Sequence, residues 1–254
     1  MVLTYASQRS AINSTPSLSV HELNREWPFL FMNKFLMQHF TSLTGIELDE
    51  RLRECIAGKG RRVLQFFKTQ FLRWTKEVKT VLADIERLQG ENMDSTIAVI
   101  LLMMTFFREK DDAIFLLADV TSTHADAEAQ LSLPTTPRII MLGDSILTSK
   151  KWMLCVEGKV VIQSVNPQDD FTSALAVFFA SFYIFNLEYQ AEAASTLEFI
   201  QRFLVRINPE NTKCRAKFQQ SHNSGRMVQR KNRALNPHVA SFIKEFTNYD
   251  WQNY

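Results

Sequence analysis

No residue between Phe171 and Leu187 carries a formal charge, and five aromatic rings fall within the eight residues from Phe178 to Phe185. An apolar run of this kind must be hidden from water, so it dictates what the rest of the chain can build. Three outcomes are open: a membrane span, the lining of a ligand pocket, or the centre of a core. The run holds 17 residues and includes Thr172, Ser173, Ser181 and Asn186; Asp169 and Asp170 stand before it and Glu188 after it. A bilayer needs about 20 apolar residues, with Lys or Arg on the cytoplasmic flank. The run therefore reads as a core helix covered by its neighbours, with Asp169 and Asp170 at its positive end.

The remaining sequence supplies candidates for that cover. "WPFLFMNKFLMQ" places Trp27, Leu30, Phe31, Lys34, Phe35 and Gln38 at helical offsets, with Gly45 as a stop. Leu64, Phe67, Phe71, Trp74, Val78, Val81, Leu82, Ile85 and Leu88 follow one helical stripe, which Gly58 and Gly60 divide from the stretch before it. "STIAVILLMMTFF" is apolar on all sides, with Ser95 as its expected N-cap, and "AIFLLADV" reads as its resumption after "REKDD". The period then changes. "RIIMLG", "KWMLCV" and "KVVIQSV" are short and rich in Val, Ile and Met, and "VEGKV" at 156–160 is a two-residue hairpin turn with Gly158 at positive φ. Two helices at about 170–187 and 190–207 end at Asn208-Pro209, and Val239, Phe242, Ile243 and Phe246 mark a last short helix.

The expected fold is predominantly α-helical α+β, with helices packed on a small antiparallel sheet that contains a central β-hairpin. Residues 1–20, rich in Ser, Thr and Asn, are expected to be a disordered tail. Residues 21–209 form the helical domain, 210–234 a basic linker, and 235–254 the short C-terminal helix.

Charge is balanced in total and uneven in place. The formal net charge is +2. Lys213, Arg215, Lys217, Arg226, Arg230, Lys231 and Arg233 follow one another with no Asp or Glu among them. This segment is the candidate nucleic-acid or nuclear-import patch, set against a solvated linker. A second basic stretch runs from Arg51 to Arg87, with ten Lys/Arg against four acids. Cys55, Cys155 and Cys214 are widely spaced and form no CxxC, which suits a reducing, cytoplasmic or nuclear compartment. The N-terminus has no basic region followed by an apolar run, so no signal peptide is expected.

Catalytic patterns are weak. "AGKGRR" lacks the first Gly and the final Ser/Thr of a phosphate-binding loop and reads as a solvated basic turn. His21, His39, His124, His222 and His238 are dispersed, and the Asp pairs at 111–112 and 169–170 suit helix capping better than a metal. "GDS" at 143–145 has no downstream Asp-x-x-His, and Cys155 sits in a strand as a core thiol. No cofactor or metal is expected. The function read from the residues is a non-catalytic interaction or assembly module that binds a protein partner or itself; the alternative is association with nucleic acid through 213–233.

"LNREWPFLF", "ILLMMTFFREKDDAIF", "WMLCVEGKVV" and "FTSALAVFFASFYIFNLEYQAEAASTLEFIQRFLVRINPE" together resemble a multicopy family of fish proteins often labelled sterile alpha motif domain-containing protein 3-like. The resemblance spans roughly residues 20–210 and matches the C-terminal module of that family. It implies an origin among expanded, mobile-element-like genes and carries over no catalytic signature or functional residue. Against that pattern, this chain is expected to lack the sterile alpha motif that precedes the module in the family.

Overall fold

In a computed structural model describing residues 2–88, 93–164, 169–207, 218–220, 227–229 and 235–251, the uncharged run forms a helix at Phe171–Ile184 in which every residue except Tyr183 is buried. In chain order the elements are α1 (Tyr5–Ile12), α2 (Val20–Glu26), α3 (Asn33–Thr44), α4 (Leu48–Cys55), a π turn (Ile56–Gly60), α5 (Arg61–Thr69), α6 (Lys76–Arg87) and α7 (Ser95–Phe106). Then come β1 (Phe115–Ala118), α8 (His124–Gln130), β2 (Arg138–Leu142), β3 (Lys151–Val156), β4 (Lys159–Gln163) and α9 (Phe171–Ile184). The chain continues through α10 (Ala194–Phe199), a second π turn (Ile200–Val205), β5 (Phe218–Gln220), β6 (Met227–Gln229) and α11 (Pro237–Asn248).

The central helix α9 meets α3, α4 and α7 on one side and strands β2 and β3 on the other. This accounts for its lack of a polar face: both of its sides are covered. Among the described residues no helix is long and apolar enough to cross a membrane. Its start is fixed by Asp170, whose side chain accepts the Ser173 N–H at 3.0 Å. Arg53 on α4 grips the same carboxylate at 2.6 and 2.9 Å and holds Asp49 at 2.8 Å. Burial pushes the Asp170 pKa up, but the bonds from Arg53 and Ser173 outweigh it and hold the carboxyl below its ordinary value. The ion pair is about 40% exposed and adds little by itself. Asp170→Ala is expected to cost about 1–2 kcal/mol, mostly the lost cap, read as a lower urea midpoint at unchanged slope.

The sheet has the order β1-β2-β3-β4. Strands β2, β3 and β4 are antiparallel, and the hairpin turn is as the sequence indicates, with Glu157 at φ 53° and Gly158 at φ 74°. Ile139, Met141, Trp152 and Leu154 join the core around α9, while Ile140, Leu142, Met153 and Cys155 pack with Ala127 of α8 on the opposite face. Covered on both faces, β2 and β3 are buried almost throughout and read as unbroken apolar runs.

Several expectations are corrected. "AIFLLADV" does not resume a helix: Phe115–Ala118 is β1, which pairs parallel with β2 and makes the sheet mixed. The N-cap of α7 is Asp94, which accepts the Thr96 N–H at 2.7 Å, with Ser95 the first helical residue. The stretch expected to be a disordered tail contains α1. Its anchors are polar: Gln8 bonds the buried His39 at 3.0 Å, and Arg9 donates to the Ile184 carbonyl at 2.6 Å. Ile12 adds the buried apolar contact. The stripe from Leu64 to Leu88 is interrupted after Thr69 by a 3₁₀ turn at Phe71–Arg73, which turns Phe71 and Leu72 outward.

Candidate interaction surfaces

The seven cations of the expected patch, Lys213, Arg215, Lys217, Arg226, Arg230, Lys231 and Arg233, lie outside the described residues. Between them, β5 and β6 pair antiparallel, with Phe218 opposite Gln229 and Gln220 opposite Met227.

Several polar residues of the weak catalytic patterns have structural partners. Asp169 accepts from Asn33 at 3.2 Å, and its carbonyl accepts the Trp152 indole N–H at 2.9 Å. Asp111 bonds the Asp112 N–H at the start of a 3₁₀ turn. Ser145 of "GDS" accepts the Leu147 N–H, and its carbonyl accepts from Ser149, so the tripeptide closes a local turn. Cys155 is fully buried, and burial pushes its thiol up to about 11, away from the thiolate that nucleophilic chemistry needs. Among the described residues no three His, Cys, Asp or Glu side chains gather as a metal site.

Two surfaces stand out. The first is the turn between α5 and α6. Leu72 is 90% exposed and Phe71 43% exposed. Arg73 beside them holds Glu245 of α11 at 3.0 Å and stacks over Trp74 at 4.7 Å; Lys79 lies 5.4 Å from the Phe71 ring. An open groove of about 680 Å³ runs alongside, lined by Phe66, Gln70, Arg73, Lys244, Glu245 and Tyr249. Sequence periodicity assigned Phe71 to the core stripe because a helix through Gln70 would have put it there.

No family model, curated protein or solved structure matches the chain.

The second surface is where the two π turns meet. The Cys55 thiol donates to the Phe203 carbonyl at 3.7 Å, and the Lys59 ammonium sits 4.4 Å from the centre of the Phe203 ring. Arg206 ends the second π turn in the left-handed region at φ 63°. Burial lowers the Lys59 pKa and Arg206 lowers it further, against an opposing influence of Cys55. Burial raises the Cys55 thiol in spite of Lys59, Arg206 and Arg51 nearby. Arg62 lies over Trp251 at 5.6 Å. None of the ion pairs among the described residues involves Arg51, Lys59, Arg62 or Arg206. π turns inside helices often occur at functional positions, because the widened ring displaces side chains from the regular ladder. The sequence hint was "AGKGRR", whose glycines mark the first of these turns; Arg206 is far away in the chain and could not be joined to it by spacing.

Proposed function

We propose that this chain is a non-catalytic module that assembles with a second copy of itself through the turn at Phe71–Arg73. The supporting observation is the exposed Leu72 and Phe71 between charges of both signs, Arg73 and Lys79 on one hand and Glu245 on the other. An apolar centre with a rim carrying both charges is self-complementary, as a two-fold contact requires. Free, buried thiols at Cys55 and Cys155 suit a reducing cytoplasmic or nuclear setting. The likeness of residues 20–210 to the fish family is part of this proposal as kinship only.

Light scattering behind size-exclusion chromatography tests it. The expected result is a mass of two or more chains that falls to one chain in Leu72→Asp. A monomer across the accessible concentration range, or an oligomer indifferent to Leu72→Asp, overturns self-association at this turn. A second reading, association with nucleic acid, is supported by the acid-free basic stretch Lys213–Arg233 and by the unpaired cations at the π turns.

A further inference from the structure

We infer that the junction of the two π turns is a phosphate-binding site, with Lys59 and Arg206 as its principal cations and Arg51 beside them. Three observations converge on it. The Cys55–Phe203 bond ties the end of α4 to the second π turn and the Lys59–Phe203 contact ties the first π turn to it, so Lys59 is set against a residue three positions before Arg206 although the two are distant in sequence. Neither Lys59 nor Arg206 has a carboxylate or hydrogen-bond partner among the described residues, whereas the nearby Arg53 and Arg202 are both paired, with Asp49 and Asp170 and with Glu198. Arg206, at the exposed end of the second π turn, adds to burial in disfavouring the charge of the half-buried Lys59.

Like charges gathered without counter-charge cost free energy, and an anion between them would remove that cost. The C-terminal end of a helix favours a cation, so the dipole of the second π turn accounts for one of them. It does not account for three, nor for an ammonium stacked on a ring with no acceptor. A phosphate accepts from an ammonium and a guanidinium together. Its carrier is either a polynucleotide backbone or a small phosphorylated molecule. The chain runs from Arg206 into the acid-free stretch that holds Lys213 to Arg233, and this favours the polynucleotide.

The site stands apart from self-association at Leu72, and it rests on the nucleic-acid reading only for the identity of the carrier. Pyrophosphate titrated calorimetrically into the full chain tests the site; anisotropy of a fluorescein-labelled oligouridylate over a range of salt tests the carrier. Both are run on the wild type, Lys59→Gln, Arg206→Asn and the control Arg87→Gln. Asn is chosen at 206 because it tolerates the left-handed backbone, and far-ultraviolet circular dichroism confirms folding. Arg51→Gln, at the surface, replaces any variant that fails to fold.

The expected result is pyrophosphate binding that Lys59→Gln and Arg206→Asn each weaken about tenfold while Arg87→Gln does not. Oligouridylate affinity should fall with it, and the slope against salt should drop by about 0.7 for each cation removed. Pyrophosphate binding without oligouridylate binding supports the site and assigns it to a small phosphorylated molecule. Oligouridylate binding that the variants leave intact, with no pyrophosphate binding, overturns the site while leaving the nucleic-acid reading in place elsewhere. Failure of both ligands to bind the wild type overturns the site.

Discussion

Phe242→Ala is expected to lower the unfolding free energy by about 3–5 kcal/mol, the range for a large aromatic truncated in a packed core. For a chain of this size that is roughly 6–20 °C in melting temperature. Phe242 is 1% exposed and lies in ring contact with Phe66, Phe67, Phe106, Phe107, Phe199, Phe203 and Phe246, at centroid distances from 5.6 to 6.5 Å. Those rings come from α5, the end and C-cap of α7, α10, the second π turn and α11, so one alanine opens a space that no single neighbour can fill. Val239 and Phe246 complete the buried face of α11. Phe29→Ala, at a position 67% exposed, should change stability by less than about 0.5 kcal/mol. Urea unfolding of both variants checks the contrast; a loss below about 1 kcal/mol for Phe242→Ala would mean that α11 adds little to the fold.

The second large effect is acid sensitivity centred on His39. Its Nδ1–H donates to the Gln8 side-chain carbonyl, leaving Nε2 buried without a partner. Burial, helped by the charge of Arg9, depresses its pKa to about 4. The unfolded chain binds a proton at about pH 6.5, so the native state is favoured above that pH and loses the advantage as pH falls toward the folded value. The expected loss between those limits is about 2–3 kcal/mol, at 1.36 kcal/mol per pKa unit with allowance for partial solvation. His39→Gln cannot titrate, and its stability should stay level from pH 6.5 to 5, above the range where carboxylates take up protons. Equal slopes in wild type and variant across that window would remove His39 as the cause. The feature at stake is the docking of α1, which His39 helps to hold.

Where the sequence was legible, local chemistry and tertiary environment agreed. The Glu157-Gly158 turn needs two positive φ values and sits between Val-rich runs that cannot be helix faces, so the hairpin follows from a few residues. The uncharged stretch from Phe171 is readable because a helix without a polar side has to be surrounded. Phe115–Ala118 was misread because four apolar residues carry no period of their own; β2, which arrives later in the chain, decides that they are a strand. Residues 5–12 were misread for the opposite reason, since polar residues dock there by buried hydrogen bonds rather than an apolar stripe. The proposed cation cluster depends on Lys59 meeting Phe203, three residues before Arg206, a contact no local pattern contains. The basic stretch from Lys213 to Arg233 was legible as composition alone.

The central placement of α9 also has a consequence during translation. Helices α3, α4 and α7 bury their apolar sides against a segment that follows α3 by roughly 130 residues; at about 5–20 residues per second, the ribosome takes roughly 6–25 seconds to supply it. Until then Leu36, Phe40 and Leu52 lack the helix that completes their cover, and α7 can pack against α5, α6 and the first π turn but not against α9. Nascent chains stopped before Phe171 should be bound by chaperones or aggregate, whereas chains released past Ile184 should collapse in a single cooperative event, making the last third of the message the part that decides whether the first two thirds survive.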